Sequence, residues 1–367
     1  MTQVSVLFGG PSPEHDVSIL TGLQTCRVLS QGGHGVTPLY WTKSGDWYLV
    51  ETDLEANAFL NGVPNKSRLV SLSMGAEKGF VEKRPLGRVR SLEFDVAVNC
   101  CHGGPGEDGS LQSILDLAGV KYTGPTARGA ALCMDKLALG GVIAAAGLPT
   151  LPRAALLETG PVPDIPTPWI IKPRFGGSSI GICVVKDVET ARQLLVRSSH
   201  LRAGAVVEPY LTDAVDLNIS ARGHGAPPLS EIERPIREQK AEFYSYEDKY
   251  LGDEGLVGAP RELPAALEPQ LAERLRGYAS AAAQLAQVRG VARIDFLLHQ
   301  ERLWINEINT VPGAMSFYLW RASGVNYEVL LDDMLEEAFK YPSYEPNTTG
   351  ADGLALRNAG SIASKLA

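Results

Sequence analysis

Between Arg293 and Gly313 the chain reads RIDFLLHQERLWINEINTVPG, two short apolar runs separated by a polar turn around Gln300. The first run follows Arg293 and the second extends from Leu303 to Ile308, a pattern that predicts adjacent antiparallel strands. Side chains alternate across a strand, so Arg293 and Asp295 share one face, and Glu307 and Asn309 share one face of the next. Paired strands then present two carboxylates, an amide oxygen and a guanidinium on a single wall. Hard oxygen donors around an open position suit Mg²⁺ that also holds substrate phosphates. Pro312 halts the strand, and Gly313 lets backbone approach a ligand closely. Asp295, Glu307 and Asn309 alone do not separate this reading from a hairpin with a solvated charged face. Other stretches of the chain do.

Val4 to Phe8 is an apolar, β-branched run ending at Gly9-Gly10, followed by the polar loop PSPEHDVS and helical spacing from Ile19 to Leu29. Strand, glycine loop and helix open an α/β unit with ligand space at the strand's C-terminal end. Neither G-x-G-x-x-G nor G-K-[ST] is present there, so a dinucleotide fingerprint and a P-loop are both excluded. Val36 to Tyr40 predicts the next strand, and Ser44 to Arg90 a stretch of strands and loops. Phe94 to Cys101 predicts a buried strand running into HGGPGEDGSLQSILDLAG, with a helix from Ser110 to Leu117 whose N-terminus favours an anion. His102, at the junction of strand and glycine loop, is assigned to a pocket.

Arg128 to Ala146 predicts one helix with Lys136 near its start, and a proline-dense connector, Pro149 to Pro168, leads to a strand ending at Lys172. KPRFGGSSIGICVV then predicts a hairpin whose lysine and consecutive loop N–H groups can orient a polyphosphate. Asp187 to Val196 reads as helix and Ala205 to Glu208 as strand. Leu217 to Ala221 reads as a further strand with Asp216 at its head. Gln239 to Gly258 is polar and long enough for a lid. Pro264 to Gln287 and Glu328 to Phe339 predict helices, and Tyr341 to Ala367 a loosely attached tail.

A length of 367 residues allows two or three domains. With 34 basic against 42 acidic residues and no basic run, nucleic acid is a poor main partner, and an anionic substrate must be held by local cations or metal. Five cysteines without a C-x-x-C pair suit reduced thiols in the cytoplasm. No basic-then-apolar leader and no run of about 20 apolar residues appears, so neither secretion nor a membrane is expected.

In order, FGGPSPEHDVS, HGGPGEDGSLQ, CMDKLALGGVIAAAGLP, KPRFGGSSIG, FYSYEDKY, RIDF and NEINTVPG resemble the D-alanine–D-alanine ligase family of ATP-grasp enzymes, up to about Phe339. The resemblance implies a mixed α+β and α/β, three-domain ATP-grasp fold. Residues 1–125 would form a Rossmann-like N-terminal domain, 126–208 the central subdomain, 209–340 the C-terminal subdomain with the metal site, and 341–367 a tail. It implies that ATP phosphorylates one D-amino acid carboxylate and that the amine of a second attacks the acyl phosphate. Asp295, Glu307 and Asn309 would hold Mg²⁺, as two ions, with Mn²⁺ able to substitute. Lys136 and Lys172 would hold phosphates, and Ser178 with Ser179 would cap the γ-phosphate. Glu208, Pro209, Tyr210 and Leu211 would form the adenine-side hinge, and Asp216 would meet the ribose. Glu14 would hold the first substrate's ammonium with His102 beside that amino acid. Arg293 and the Gly313 N–H would stabilise the oxyanion. Lys249 and Tyr250 would close over the site. Partners would be small amino acids and a second copy in a homodimer.

Three departures stand out: Gly176 replaces a lid-tying glutamate, Tyr318 a serine for the second substrate's carboxylate, and Ser245 an aspartate. They leave the phosphoryl chemistry untouched and the acceptor open, although Tyr250 favours an amine. A related ligase with another acceptor therefore stays in contention. A nucleotide-binding regulator without turnover is disfavoured by the intact metal and lysine set, and a hydride-transferring oxidoreductase by the missing fingerprint.

Overall fold

The computed structural model describes residues 1–367 except 76–77, 85–87, 237–259, 342–343, 345–346 and 364–367. Its first sheet runs in the order β6-β5-β4-β3-β2-β1-β7, with β1 (Gln3–Gly9), β2 (Gly35–Trp41), β3 (Trp47–Leu49), β4 (Arg68–Ser73), β5 (Gly79–Lys83), β6 (Val89–Ser91) and β7 (Val96–Asn99). β1 pairs in parallel with β2 and β7, and the remaining pairs are antiparallel. β1 is buried on both faces, as its continuous apolar run requires. Helix His15–Gln31 lies so close to it that a Cβ on Gly22 would sit 2.4 Å from the Phe8 ring. Glycine is the residue that permits this approach.

A second, antiparallel sheet has the order β10-β9-β11-β8, with β8 (Ala154–Leu156), β9 (Trp169–Pro173), β10 (Cys183–Val185) and β11 (Ala205–Pro209). β9 and β10 form the expected hairpin around the glycine-serine loop. Helix Val188–Arg197 buries Ala191 against this sheet's own small core.

The third sheet is β12-β15-β16, with β12 (Val215–Arg222), β15 (Val291–His299) and β16 (Arg302–Asn309), all antiparallel, and the intervening β13 (Arg234–Pro235) and β14 (Arg261–Glu262) pair separately with each other. Gln300 and Glu301 at the β15–β16 turn both have positive φ, as a tight hairpin turn demands. Helix Pro269–Leu285 packs Leu275, Ala279, Ala282 and Ala283 beneath the sheet. The single helix expected over Arg128–Ala146 is instead two, Ala127–Met134 and Lys136–Ala145. Asp135 breaks it: its backbone is extended, and its side chain accepts from the N–H groups of Leu137 and Ala138. An aspartate satisfies those donors better as a cap than inside a helix.

Packing crosses the order of the chain. Cys133, Leu139 and Ile143 pack under the third sheet, and Leu330, Leu331, Met334 and Leu335 of helix Tyr327–Lys340 pack with Val4, Val6 and Phe8 of β1. Each such aliphatic side chain contributes roughly 1.5–3 kcal/mol of burial. Buried Arg289 adds a polar knot, donating to the carbonyls of Gly124 (2.7 Å) and Tyr341 (2.8 Å). Past Tyr341, the described tail residues are exposed apart from a few half-buried ones and include only a short helix, Leu354–Arg357.

Candidate active site

The wall expected from alternation forms in the register that the chemistry needs. Arg293 lies opposite Asn309 and Asp295 opposite Glu307, with Asn218 of β12 on the other side of Asp295. Arg293 grips Asp295 through Nε and Nη2, both at 2.7 Å, and Asn309 Nδ2 donates to Asp295 Oδ2 at 3.0 Å. The ladder shifts between Asp295 and Phe296, where Phe296 pairs with Ile305 and leaves Asn306 as the additional residue. Strict alternation would turn Asn306 away from Glu307's face; the bulge lets both line the cleft.

Two lysines reach this edge from the other sheet's side. Lys136 Nζ lies 3.3 Å from Glu307 Oε2 and donates to the Gly176 carbonyl at 2.7 Å. Lys172 Nζ donates to Glu208 Oε2 at 2.8 Å and to Asn306 Oδ1 at 3.0 Å. Arg153 Nε approaches the other Glu208 oxygen at 2.6 Å. Burial alone would raise the Glu208 pKa, but the charges of Lys172 and Arg153 outweigh it and hold the carboxyl below its ordinary range. The Glu208 side chain is buried on these two cations, while Pro209, Tyr210 and Leu211 line the cleft.

The main cleft encloses about 170 Å³ and is lined by both lysines, Ser179, Asp216, Arg293, Asp295, Glu307, Gly313 and Tyr318. A smaller cavity of about 20 Å³ adjoins it, lined by Glu14, His102, Glu107, Ser178 and Asn309. Arg293, Glu307 and Gly313 line both. Ser178 and Ser179 adopt positive φ of 52° and 61°, and the buried Ser178 Oγ has no hydrogen-bond partner among the described residues. A buried, unsatisfied hydroxyl at the edge of a cavity is a ready donor to a ligand.

His102 is buried and held at both nitrogens: Nδ1 lies 2.6 Å from the Val311 carbonyl and Nε2 2.8 Å from Thr21 Oγ1, which also accepts from the Ala314 N–H. A carbonyl partner requires Nδ1–H, which leaves Nε2 as the acceptor. Burial pushes its pKa from 6.5 down to about 4. Glu107 accepts from the N–H groups of Gly103 (3.0 Å) and Val311 (2.9 Å). Burial first, and the charge of Glu14 second, push its pKa from 4.5 up to about 7. Beyond Gly313, Ala314, Met315 and Ser316 all have φ between 46° and 51°, a left-handed turn that swings Tyr318 into the cleft.

The site thus assembles the sequence-derived residues in two adjoining pockets, with Glu14 and His102 in one and Pro209, Tyr210, Leu211 and Asp216 in the other. Lys249 and Tyr250, with Ser245 and the expected lid, lie outside the described residues. Arg153, Asn218, Glu233, Arg261 and Asn306 were not anticipated, and Glu107 only as part of a loop. Asn306 depends on a bulge and Glu107 on burial, and neither leaves a periodic trace.

Asp295, Glu307 and Asn309 carry hard oxygen donors of the kind that suits Mg²⁺, with Asp295 and Glu307 opposite one another in the ladder and both Asp295 oxygens held by Arg293 in this structure. No group of three or more His, Cys, Asp or Glu side chains among the described residues is arranged to hold a metal ion.

Residues 3–125 match the family model for the D-ala D-ala ligase N-terminus, and residues 162–336 that for the D-ala D-ala ligase C-terminus. The chain belongs to the D-alanine–D-alanine ligase family. This ligase-family chain is 32% identical over 362 residues to the D-alanine–D-alanine ligase of Sodalis glossinidius, covering 91% of this chain and 94% of the relative. It is 30% identical over 352 residues to that of Thermosipho africanus, covering 93% and 94%. The D-alanine–D-alanine ligase structure from Coxiella burnetii superposes with a TM-score of 0.74 at 23% identity, covering 92% of this chain and 94% of that one. The VanG D-Ala:D-Ser ligase structure from Enterococcus faecalis superposes with a TM-score of 0.76 at 23% identity, covering 92% and 99%. The mixed α+β architecture is the ATP-grasp fold of these ligase structures.

Proposed function

We propose that this chain is an ATP- and Mg²⁺-dependent D-alanine–D-alanine ligase working through an acyl phosphate. The observation that carries the reading is the sharing of Arg293, Glu307 and Gly313 by the two pockets. The larger pocket suits a nucleotide, the smaller one offers Glu14 as an anchor for the ammonium of a small zwitterion, and the reacting atoms must meet at their junction. Carboxylate and triphosphate repel one another, so the junction has to be cationic.

In this reading Glu14 holds the donor's ammonium and His102 fixes the wall beside it. Lys136, Lys172 and the Ser178 hydroxyl steady the phosphates, and the hinge and Asp216 take adenine and ribose. Asp295, Glu307 and Asn309 would hold Mg²⁺, which neutralises phosphate charge when bound. A donor carboxylate oxygen attacks the γ-phosphorus and ADP departs. The acceptor's amine then attacks the acyl carbon, phosphate leaves, and Arg293 with the Gly313 N–H takes the oxyanion charge. The same reading places the chain in the cytoplasm as a homodimer supplying peptidoglycan precursor. Five free cysteines suit that compartment. No helix among the described residues is long and apolar enough to cross a membrane.

The test is an amino-acid panel read by phosphate release, with products identified by mass spectrometry. D-alanine should stimulate ATP turnover and yield the dipeptide, and chelation of Mg²⁺ by EDTA should stop it. Absence of turnover with every amino acid overturns the reading.

A further inference from the structure

The acceptor's amine has to approach the carbonyl carbon at Arg293 and Gly313, so the rest of the acceptor must occupy the adjoining stretch of the main cleft. That stretch is walled by Asn218, Glu233, Arg261 and Tyr318. Three different elements supply the contacting side chains: β12 (Asn218), the short strand pair Arg234–Pro235 and Arg261–Glu262 with its flank (Glu233, Arg261), and helix Phe317–Ala322 (Tyr318). Tyr318 Oη–H donates to Glu233 Oε2 at 2.7 Å, and Asn218 Nδ2 donates to the same oxygen at 3.0 Å. Glu233 Oε1 is thereby turned toward Arg261, whose Nη1 stands 3.3 Å away. The guanidinium lies over the Tyr318 ring, 4.4 Å from its centroid. Glu233 is only 4% exposed, so this brace is fixed within the protein.

Four cationic side chains line the cleft among the described residues: Lys136, Lys172, Arg261 and Arg293. Lys136 is held at the Gly176 carbonyl, Lys172 by Glu208 and Asn306, and Arg293 bidentately by Asp295. A free amino acid entering this end brings a carboxylate into a cleft that already contains Glu233, Asp295 and Glu307. Desolvating it there requires a facing cation. A serine at position 318 would be too short to reach Glu233 or to support the guanidinium face.

We propose that Arg261, braced by Glu233 and Tyr318, binds the acceptor's carboxylate and makes a free α-amino acid, rather than its amide or ester, the obligatory acceptor. This rests on the ligase reading above and names the residues that select the second substrate. A preorganised guanidinium can form a bidentate, charge-assisted contact at little ordering cost.

D-alaninamide tests the assignment, because it has no carboxylate to phosphorylate and can serve only as acceptor. With ATP, Mg²⁺ and equal concentrations of D-alanine and D-alaninamide, mass spectrometry gives the ratio of dipeptide to dipeptide amide. Wild-type protein should favour the acid by about 10- to 150-fold, the scale of one charge-assisted contact. Arg261→Met should bring the ratio to within a few-fold of one and raise the acceptor KM, leaving the KM for ATP and for the donor unchanged. Tyr318→Phe keeps the stacking ring but loses the hydroxyl's hold on Glu233. It should raise the acceptor KM several-fold while keeping most of the preference. An active Arg261→Met protein with the wild-type ratio, or one altered only in ATP or donor KM, overturns the assignment alone. Wild-type protein that consumes no ATP with any amino acid overturns this assignment and the ligase reading together.

Discussion

Glu307 faces Asp295 across the hairpin, meets Lys136, and lines both pockets. Glu307→Gln keeps its shape and removes its charge, so turnover should fall at least about 100-fold while the melting temperature moves only a few degrees. Steady-state kinetics beside a thermal melt checks this; a wild-type rate refutes the role. Arg293→Ala should lower kcat by about 10²–10³-fold with the ATP Kd nearly unchanged, because the oxyanion charge exists only in the transition state. Calorimetry with ADP separates the two, and loss confined to nucleotide affinity would reassign Arg293. These side chains were legible in the sequence because strand alternation places residues 293, 295, 307 and 309 on one face. Asn306 was not, since a bulge suspends that alternation at one position. Glu107 was not, since nothing local distinguishes a buried acid from a solvated one.

Periodicity also reads elements better than their breaks. The apolar spacing over Arg128–Ala146 continues through Asp135, yet the chain stops and restarts there because aspartate caps the second helix and pairs with Arg174 at 2.6 Å. The β9–β10 hairpin, by contrast, followed from its glycines and flanking apolar runs. The left-handed turn at Ala314–Ser316 carries no glycine of its own and was invisible. Such a conformation costs a residue with a Cβ about 1–2 kcal/mol, more than the roughly 0.5–1 kcal/mol that glycine loses through unfolded-chain freedom. Ala314→Gly should therefore stabilise the protein by up to about 1 kcal/mol, the reverse of its usual effect, as denaturant titration would measure. A clear destabilisation would mean that the turn is not under strain.

For the whole molecule, His102 and Glu107 join the first sheet's loops to the strap at Val311, and their proton demands oppose each other. Folding lowers the pKa of His102 from 6.5 to about 4 and raises that of Glu107 from 4.5 to about 7. Between about pH 4.5 and 6.5 the folded pair holds its proton on Glu107 and the unfolded pair holds it on His102, so their pH dependences cancel. His102→Asn should expose the Glu107 contribution: stability greatest below pH 4.5 and falling by roughly 3 kcal/mol as pH rises through about 7. Glu107→Gln should expose the opposite slope, with stability greatest above pH 6.5 and lost as pH falls through about 4. Urea unfolding across this range, referenced to wild type, checks both; parallel curves for all three proteins would exclude the coupling.

The packing of helix Tyr327–Lys340 against β1 also bears on how the protein is made. A ribosome releases Val4, Val6 and Phe8 long before Leu330, Leu331, Met334 and Leu335, so the part of the opening sheet's apolar side that helix His15–Gln31 leaves bare waits for its cover until residues 327–340 have been made. During that interval it is a natural client for chaperones, and a chain truncated before Tyr327 would be a sticky fragment instead of a smaller working protein.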